Sequence, residues 1–271
     1  MPKNPKPLQV MGILNVTPDS FSDGGRYNQL DEAIIRASQL IEHGADILDI
    51  GGESTRPGSD AVSEAEELDR VIPVIEAIKQ RFDIPVSIDT TKAKVMTESV
   101  NAGASLINDV NALREEGAVE AAAKAGVEVC LMHMQGQPRT MQEYPHYDDV
   151  VCDVKRFFQE RVDVCTEAGI AREKIWLDPG FGFGKTPRHN YQLLQRLQAF
   201  HELQLPLLIG LSRKSMIGHV TGRDVSERLA GSLAGATIAA MKGARIIRVH
   251  DVKETVDAMK VVAATLEGEH I

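Results

Sequence analysis

Short apolar runs along this chain end on polar residues of a few recurring kinds. Asn15 follows the run 10–14. Glu53, Thr55 and Arg56 follow 47–50. Asp89 follows 86–88, and Asn108 and Asp109 follow 106–107. Asp178 follows 175–177, and Ser212, Arg213 and Lys214 follow 207–209. The run 246–249 carries Arg248 and leads to His250 and Asp251. Any one of these would pass as a helix cap or a solvated loop end. A polar residue at nearly every exit points instead to one shared site. Asp89, Asn108 and Asp178 offer acceptors and one amide that can also donate, and a carboxylate accepts two parallel N–H bonds well. The set suits a ligand with a guanidine-like edge, such as the 2-amino-4-oxo face of a pterin or a guanine. Lys214 can donate to the carbonyl oxygen of such a ligand. Arg248 and His250 stand just before a helical pattern, a favourable place for an anion. Asn15 could join the same anion, or a metal attached to it.

Other signals carry less. The segment Gly180-Phe181-Gly182-Phe183-Gly184-Lys185-Thr186 resembles a phosphate loop, but the first required glycine falls on Pro179. It reads as a tight loop that lets a ligand ring approach the backbone, with Phe183 as a stacking surface. No HExxH or paired helical spacing occurs among the eight histidines, which argues against a zinc site. His133 reads as a packed histidine, or one that supports the site from behind, rather than a ligand. Ser212 lacks a GxSxG elbow, so a serine-hydrolase triad is not expected. The three cysteines include no CxxC pair and suit a reducing cytoplasm better than a disulfide framework. Cys130 reads as a small core residue. Asp251-Val252-Lys253-Glu254 has capping-box spacing.

An alternation of elements must position these residues. Strands are predicted over 10–14, 47–50, 86–88, 106–107, 127–132, 175–177, 207–209 and 246–249. Helices are predicted over 32–42, 64–80, 93–102, 118–124, 150–168, 191–201, 225–242 and 252–266. Strict βα alternation implies parallel strands with crossover helices. Eight units in 271 residues imply an α/β fold, one (β/α)8 barrel over residues 1–271 with its site at the C-terminal face of the strands. The connections 15–28, 51–63 and 135–148 are long and rich in glycine, proline and polar residues. Such loops are usually functional, and the first two are expected to be mobile until ligands bind. The net charge of −9 argues against a broad nucleic-acid surface. The N-terminal MPKNPKPLQV has no apolar core of a signal peptide, and no apolar run is long enough to span a bilayer.

The motifs themselves resemble a known family. Met11-Gly12-Ile13-Leu14-Asn15-Val16-Thr17-Pro18-Asp19-Ser20-Phe21-Ser22-Asp23-Gly24-Gly25 is similar to the first signature of the dihydropteroate synthases, and Asp49-Ile50-Gly51-Gly52-Glu53-Ser54-Thr55-Arg56-Pro57-Gly58 to the second. Ser87-Ile88-Asp89-Thr90, Ile107-Asn108-Asp109, Leu131-Met132-His133-Met134-Gln135-Gly136, the stretch from Leu177 to Lys185, Ser212-Arg213-Lys214-Ser215 and Arg248-Val249-His250-Asp251 continue the match in order. The resemblance implies condensation of 6-hydroxymethyl-7,8-dihydropterin diphosphate with 4-aminobenzoate. It implies that Asp89, Asn108, Asp178 and Lys214 hold the pterin. Asn15, Arg248 and His250 would hold the diphosphate with Mg2+, with Asn15 as the metal ligand. Thr55, Arg56, Pro57, Phe183, Ser212 and Lys214 would shape the aminobenzoate site. Asp89, Lys214, Arg248 and His250 would carry the catalysis. The family is usually homodimeric and is the target of sulfonamides. Two alternatives keep the same acceptors: a pterin-dependent methyltransferase domain, and a paralogue that binds pterin without turnover.

Overall fold

The apolar runs become strands because their β-branched and large aliphatic residues fit a pleated surface buried on both faces. In the computed structural model the described residues are 8–17, 26–54, 62–136, 141 and 145–268. Among them eight strands form: β1 (Gln9–Asn15), β2 (Ile47–Gly51), β3 (Val86–Asp89), β4 (Leu106–Asp109), β5 (Glu128–Met132), β6 (Ile175–Asp178), β7 (Leu208–Ile209) and β8 (Ile246–Val249). All pairings are parallel, in the order β6-β5-β4-β3-β2-β1-β8-β7. A parallel bridge between Leu177 and Leu207 joins the two ends and closes the barrel. The fold is the expected (β/α)8 barrel. Thr55, Arg56 and Pro57, and most of the first two long connections, lie outside the described residues.

The helices are α1 (Arg26–Glu42), α2 (Glu64–Arg81), α3 (Ala93–Asn101), α4 (Ala118–Ala125), α5 (Val150–Glu167), α6 (Pro187–Gln195), α7 (Ser215–Thr221), α8 (Leu229–Met241) and α9 (Val252–Glu267). Four depart from the sequence expectation. Helix α1 begins at Arg26, six residues before the expected start and inside the connection expected over 15–28. Helix α6 begins four residues before Tyr191, because Thr186 caps it and accepts from the His189 N–H while Pro187 fits its first turn. It ends at Gln195, and the chain continues as a 3-10 turn over Leu197–Leu203. The helix expected over 225–242 opens as a 3-10 turn at Val225–Glu227, and α8 starts at Leu229. Helix α7 is additional. Finally, Asp251 makes no side-chain cap to α9. Its carboxylate is taken by the Arg213 guanidinium through Nε and Nη2.

Period-two alternation sorts the strand residues into two sets. Outward-facing aliphatics such as Leu48, Ile88, Ile107, Leu131, Leu177 and Val249 pack against the helices in the main core. Met11, Ile47, Leu106, Cys130, Trp176, Leu208 and Ile246 form a separate cluster of buried side chains, the apolar floor inside the barrel. Cys130 is a core residue there, as its sequence context suggested. Two residues further along the strands, on the same inward face, stand Asp49, Asn108, Asp178 and Arg248. The polar level therefore rests on a fully packed apolar one.

Candidate active site

Asp49 and Asp89 share one guanidinium. Arg248 donates from Nε to Asp49 at 2.5 Å and from Nη2 to Asp89 at 2.7 Å. Asn108 donates from Nδ2 to the same Asp49 oxygen at 3.2 Å. Asp49 is fully buried. Its second oxygen and that of Asp89 are buried without a hydrogen-bond partner. Burial raises the Asp89 pKa to about 7, with Arg248 opposing and Asp49 adding to the rise. Burial alone would lower the Arg248 pKa, but the two carboxylates more than offset it and hold the guanidinium above its ordinary value. The sequence reading took Arg248 as a cation for an anionic ligand. Two of its three nitrogens are committed to carboxylates.

Asp178 lies across the barrel at the end of β6 and is buried. One oxygen accepts the Gly180 N–H at 2.8 Å. Burial raises its pKa, and Lys214 is the leading opposing influence. Lys214, after β7, donates to the Phe181 carbonyl, and its ammonium stands 4.7 Å from the centre of the Phe183 ring. Burial lowers its pKa to about 8, against the pull of Asp178. Phe183 also packs on the buried cluster of Val110, Met132, Met134 and Met141. Asp178, Lys214 and Phe183 are thus brought together, as the sequence suggested. His250 Nδ1 lies 3.0 Å from the Ser212 hydroxyl, and its backbone N–H donates to the same oxygen at 3.3 Å. A cavity flanks this pair, lined by Asn15, His250 and Arg213 together with Glu32, Arg36 and Gln39 of α1.

Several polar exits serve the scaffold instead. Asp109 accepts the N–H groups of Asn111 and Leu113, fixing a turn in which Ala112 and Leu113 have positive φ. Glu53 receives Lys92 and the Val62 N–H, and Lys92 also pairs with fully buried Glu67. Arg213 is spent on Asp251. His133 is packed, its ring edge-on to Phe157 with centroids 4.8 Å apart. Gly180 and Gly184 after β6 admit neighbouring backbone, whereas a Cβ at Gly182 would meet the Lys214 side chain at 3.4 Å. A Cβ at Gly180 would lie 1.9 Å from the His133 carbonyl oxygen, and one at Gly184 would lie 2.2 Å from that of Gln135.

Asp49 is the residue that sequence reasoning passed over. The signal was present: an aspartate inside the apolar run Ile47–Gly51. A carboxylate buried at mid-strand must have a partner. Asn108 and Arg248, both singled out, are those partners.

A model of the pterin binding enzymes matches residues 11–250. A dihydropteroate synthase of Escherichia coli (strain K12) is 62% identical over 260 residues, covering 96% of this chain and 92% of its own. The crystal structure of the Yersinia pestis dihydropteroate synthase with a sulfonamide drug complex superposes with a TM-score of 0.92 at 61% identity, covering 97% of this chain and 95% of the other. The Xanthomonas albilineans enzyme in complex with 7,8-dihydropteroate does so with a TM-score of 0.88 at 49% identity, covering 96% and 94%. This chain belongs to the pterin-binding enzyme family, among its dihydropteroate synthases.

Proposed function

We propose that this chain condenses 6-hydroxymethyl-7,8-dihydropterin diphosphate with 4-aminobenzoate, giving 7,8-dihydropteroate and diphosphate. The observation that carries the reading is the polar level of the barrel. Asp89, Asn108 and Asp178 are buried acceptors above an apolar floor. The orphaned oxygen of Asp89 costs about 1–3 kcal/mol while it lacks a donor. The N–H groups of a pterin edge would relieve that cost. The flat ring would lie on the apolar layer, with Asp178 and Asn108 reading its amino and ring N–H groups and Lys214 its carbonyl oxygen. Phe183, Ser212 and Lys214 at the mouth would take the aminobenzoate, together with Thr55, Arg56 and Pro57.

The chemistry needs little proton transfer. The bond from the pterin methylene to the diphosphate oxygen breaks, and the arylamine nitrogen bonds to the methylene and releases a proton. An arylamine is neutral near pH 7, so no general base is required. Arg248, His250 and Asn15 would receive the departing diphosphate. The amide oxygen of Asn15 is a hard donor of the kind that suits Mg2+ held mainly by phosphate oxygens. Among the described residues that amide makes no hydrogen bond, and no group of three or more His, Cys, Asp and Glu side chains could hold a metal alone. When bound, Mg2+ would neutralise charge on the leaving group. Diphosphate release should require both substrates. No release with both would reject the reading and favour a methyltransferase or an inactive paralogue, and release with the pterin diphosphate alone would instead mean hydrolysis without arylamine transfer.

The proposal extends to a cytoplasmic homodimer. The free thiols of Cys130, Cys152 and Cys165 suit a reducing compartment. No helix among the described residues is long and apolar enough to cross a membrane. Helix α8, LAGSLAGATIAAM, contains no charged residue. Ala230, Ala234, Ile238 and Met241 are nonetheless exposed along it, at the spacing of one helix face. An uncharged helix is normally buried, and a second copy of the chain would cover this one. Sedimentation of the wild type should give a dimer, and Ile238→Glu a monomer. A monomeric wild type would remove this part of the proposal.

A further inference from the structure

Lys185 closes the glycine-rich segment after β6, yet its side chain is turned into the protein and is 2% exposed. No carboxylate forms an ion pair with it among the described residues. Its Nζ is enclosed by the carbonyls of Gly180 at 2.9 Å, Phe183 at 2.9 Å and His133 at 3.2 Å, and by His133 Nδ1 at 2.9 Å. Three carbonyl oxygens match the three protons of an ammonium. Two of these carbonyls belong to the loop, and the third to the residue after β5. One group therefore curls the loop around itself and ties it to the neighbouring strand. Burial pushes the Lys185 pKa well down, so keeping a cation here is unfavourable. A simple turn would not need it. Asn190 already accepts the Gly182 N–H at 2.7 Å, and Tyr147 donates to the Gly184 carbonyl at 2.8 Å. What the loop presents on its other side is the Phe181 carbonyl, which receives Lys214, and the Phe183 ring beneath the same ammonium.

We propose that Lys185 is a positioning residue for the arylamine half of the reaction, setting the loop course that brings Phe183 and the Phe181 carbonyl against Lys214. The inference rests on the reading of Phe183 and Lys214 as part of the aminobenzoate site. Of the pterin acceptors, Asp89 and Asn108 sit at the ends of β3 and β4, and Asp178, fixed on β6, meets the loop at its start, where it accepts the Gly180 N–H. Phe183 and the Phe181 carbonyl lie farther along the loop, so loosening it acts on the arylamine more than on the pterin.

Lys185→Met removes the donors and keeps most of the stem. Displacing a binding group by a fraction of an ångström is expected to raise KM for 4-aminobenzoate about tenfold. The calorimetric Kd for the pterin diphosphate should stay within about threefold, the split that separates local positioning from general damage. Lys185→Gln keeps two N–H donors and should recover part of the loss; it carries the same test where Lys185→Met does not fold. Phe183→Ala, measured beside them, reports on the underlying site and should raise the same KM. If Phe183→Ala raises it while neither Lys185 variant does, the positioning role is overturned and the site reading stands. If Phe183→Ala has no effect, the site reading falls and this inference with it. Equal losses for both substrates in the Lys185 variants would overturn the role in favour of general structural support.

Discussion

Arg248→Ala is expected to abolish tight binding of the pterin diphosphate and to destabilise the fold by about 3 kcal/mol or more. The guanidinium is held by Asp49 below and Asp89 beside it. Removing it leaves a fully buried carboxylate and a nearly buried one facing each other without a cation, and such uncompensated charge is among the most damaging changes a core can suffer. The loss of binding has a separate origin, because Arg248 is one of the groups that would receive the diphosphate. The two effects can be told apart. Arg248→Ala combined with Asp49→Asn removes one of the stranded charges and should regain part of the stability while binding stays lost. Denaturant unfolding and calorimetry would read the two quantities. An Arg248→Ala protein that binds the pterin diphosphate as tightly as the wild type would refute the assignment.

The barrel was legible because each strand is a compact apolar run and most helices are longer amphipathic ones. The polar level was legible because acceptors at strand exits are improbable one after another. What was hidden depended on pairing across the barrel. Arg248 and Asp49 are far apart in the chain, and no local pattern says that they meet. Arg248 therefore read as an anion site alone, and Asp49 as part of a motif. Asp251 failed as a cap for a similar reason, since a bidentate arginine from the previous unit outcompetes two backbone N–H groups for the same carboxylate. Helix α7 was missed because seven residues containing Gly218 and His219 give too little periodicity to read. Lys185 was set aside with its false phosphate loop. Only the packed structure reveals a lysine that binds carbonyls rather than phosphate.

Asp89→Asn is expected to lower kcat by about a hundredfold, the scale on which removing one preorganised charge-stabilising group acts, while KM for the pterin substrate changes far less. The argument begins with charge. Asp49, Asp89 and Arg248 together carry one net negative charge when both carboxyls are ionised. A dihydropterin that loses diphosphate becomes a cation spread over its ring nitrogens, and that charge would develop close to Asp89. An interaction that grows towards the transition state raises turnover more than affinity. The pH dependence follows from the raised pKa. In the free site Asp89 is ionised only above about 7, so kcat/KM for the pterin diphosphate should fall as pH drops through that value. The limb in kcat reports Asp89 in the enzyme–substrate complex, where N–H donors of a bound pterin would favour the ionised form, so it should lie at lower pH. Asp89→Asn should flatten both limbs; a variant that kept them would assign the ionisation to the substrate diphosphate instead. Deuterium on the methylene carbon then tests the bond-breaking step. A dissociative transition state flattens that carbon and gives a sizeable normal secondary isotope effect. A value near unity, with chemistry shown to limit the rate, would mean direct displacement by the amine and leave Asp89 no cation to stabilise.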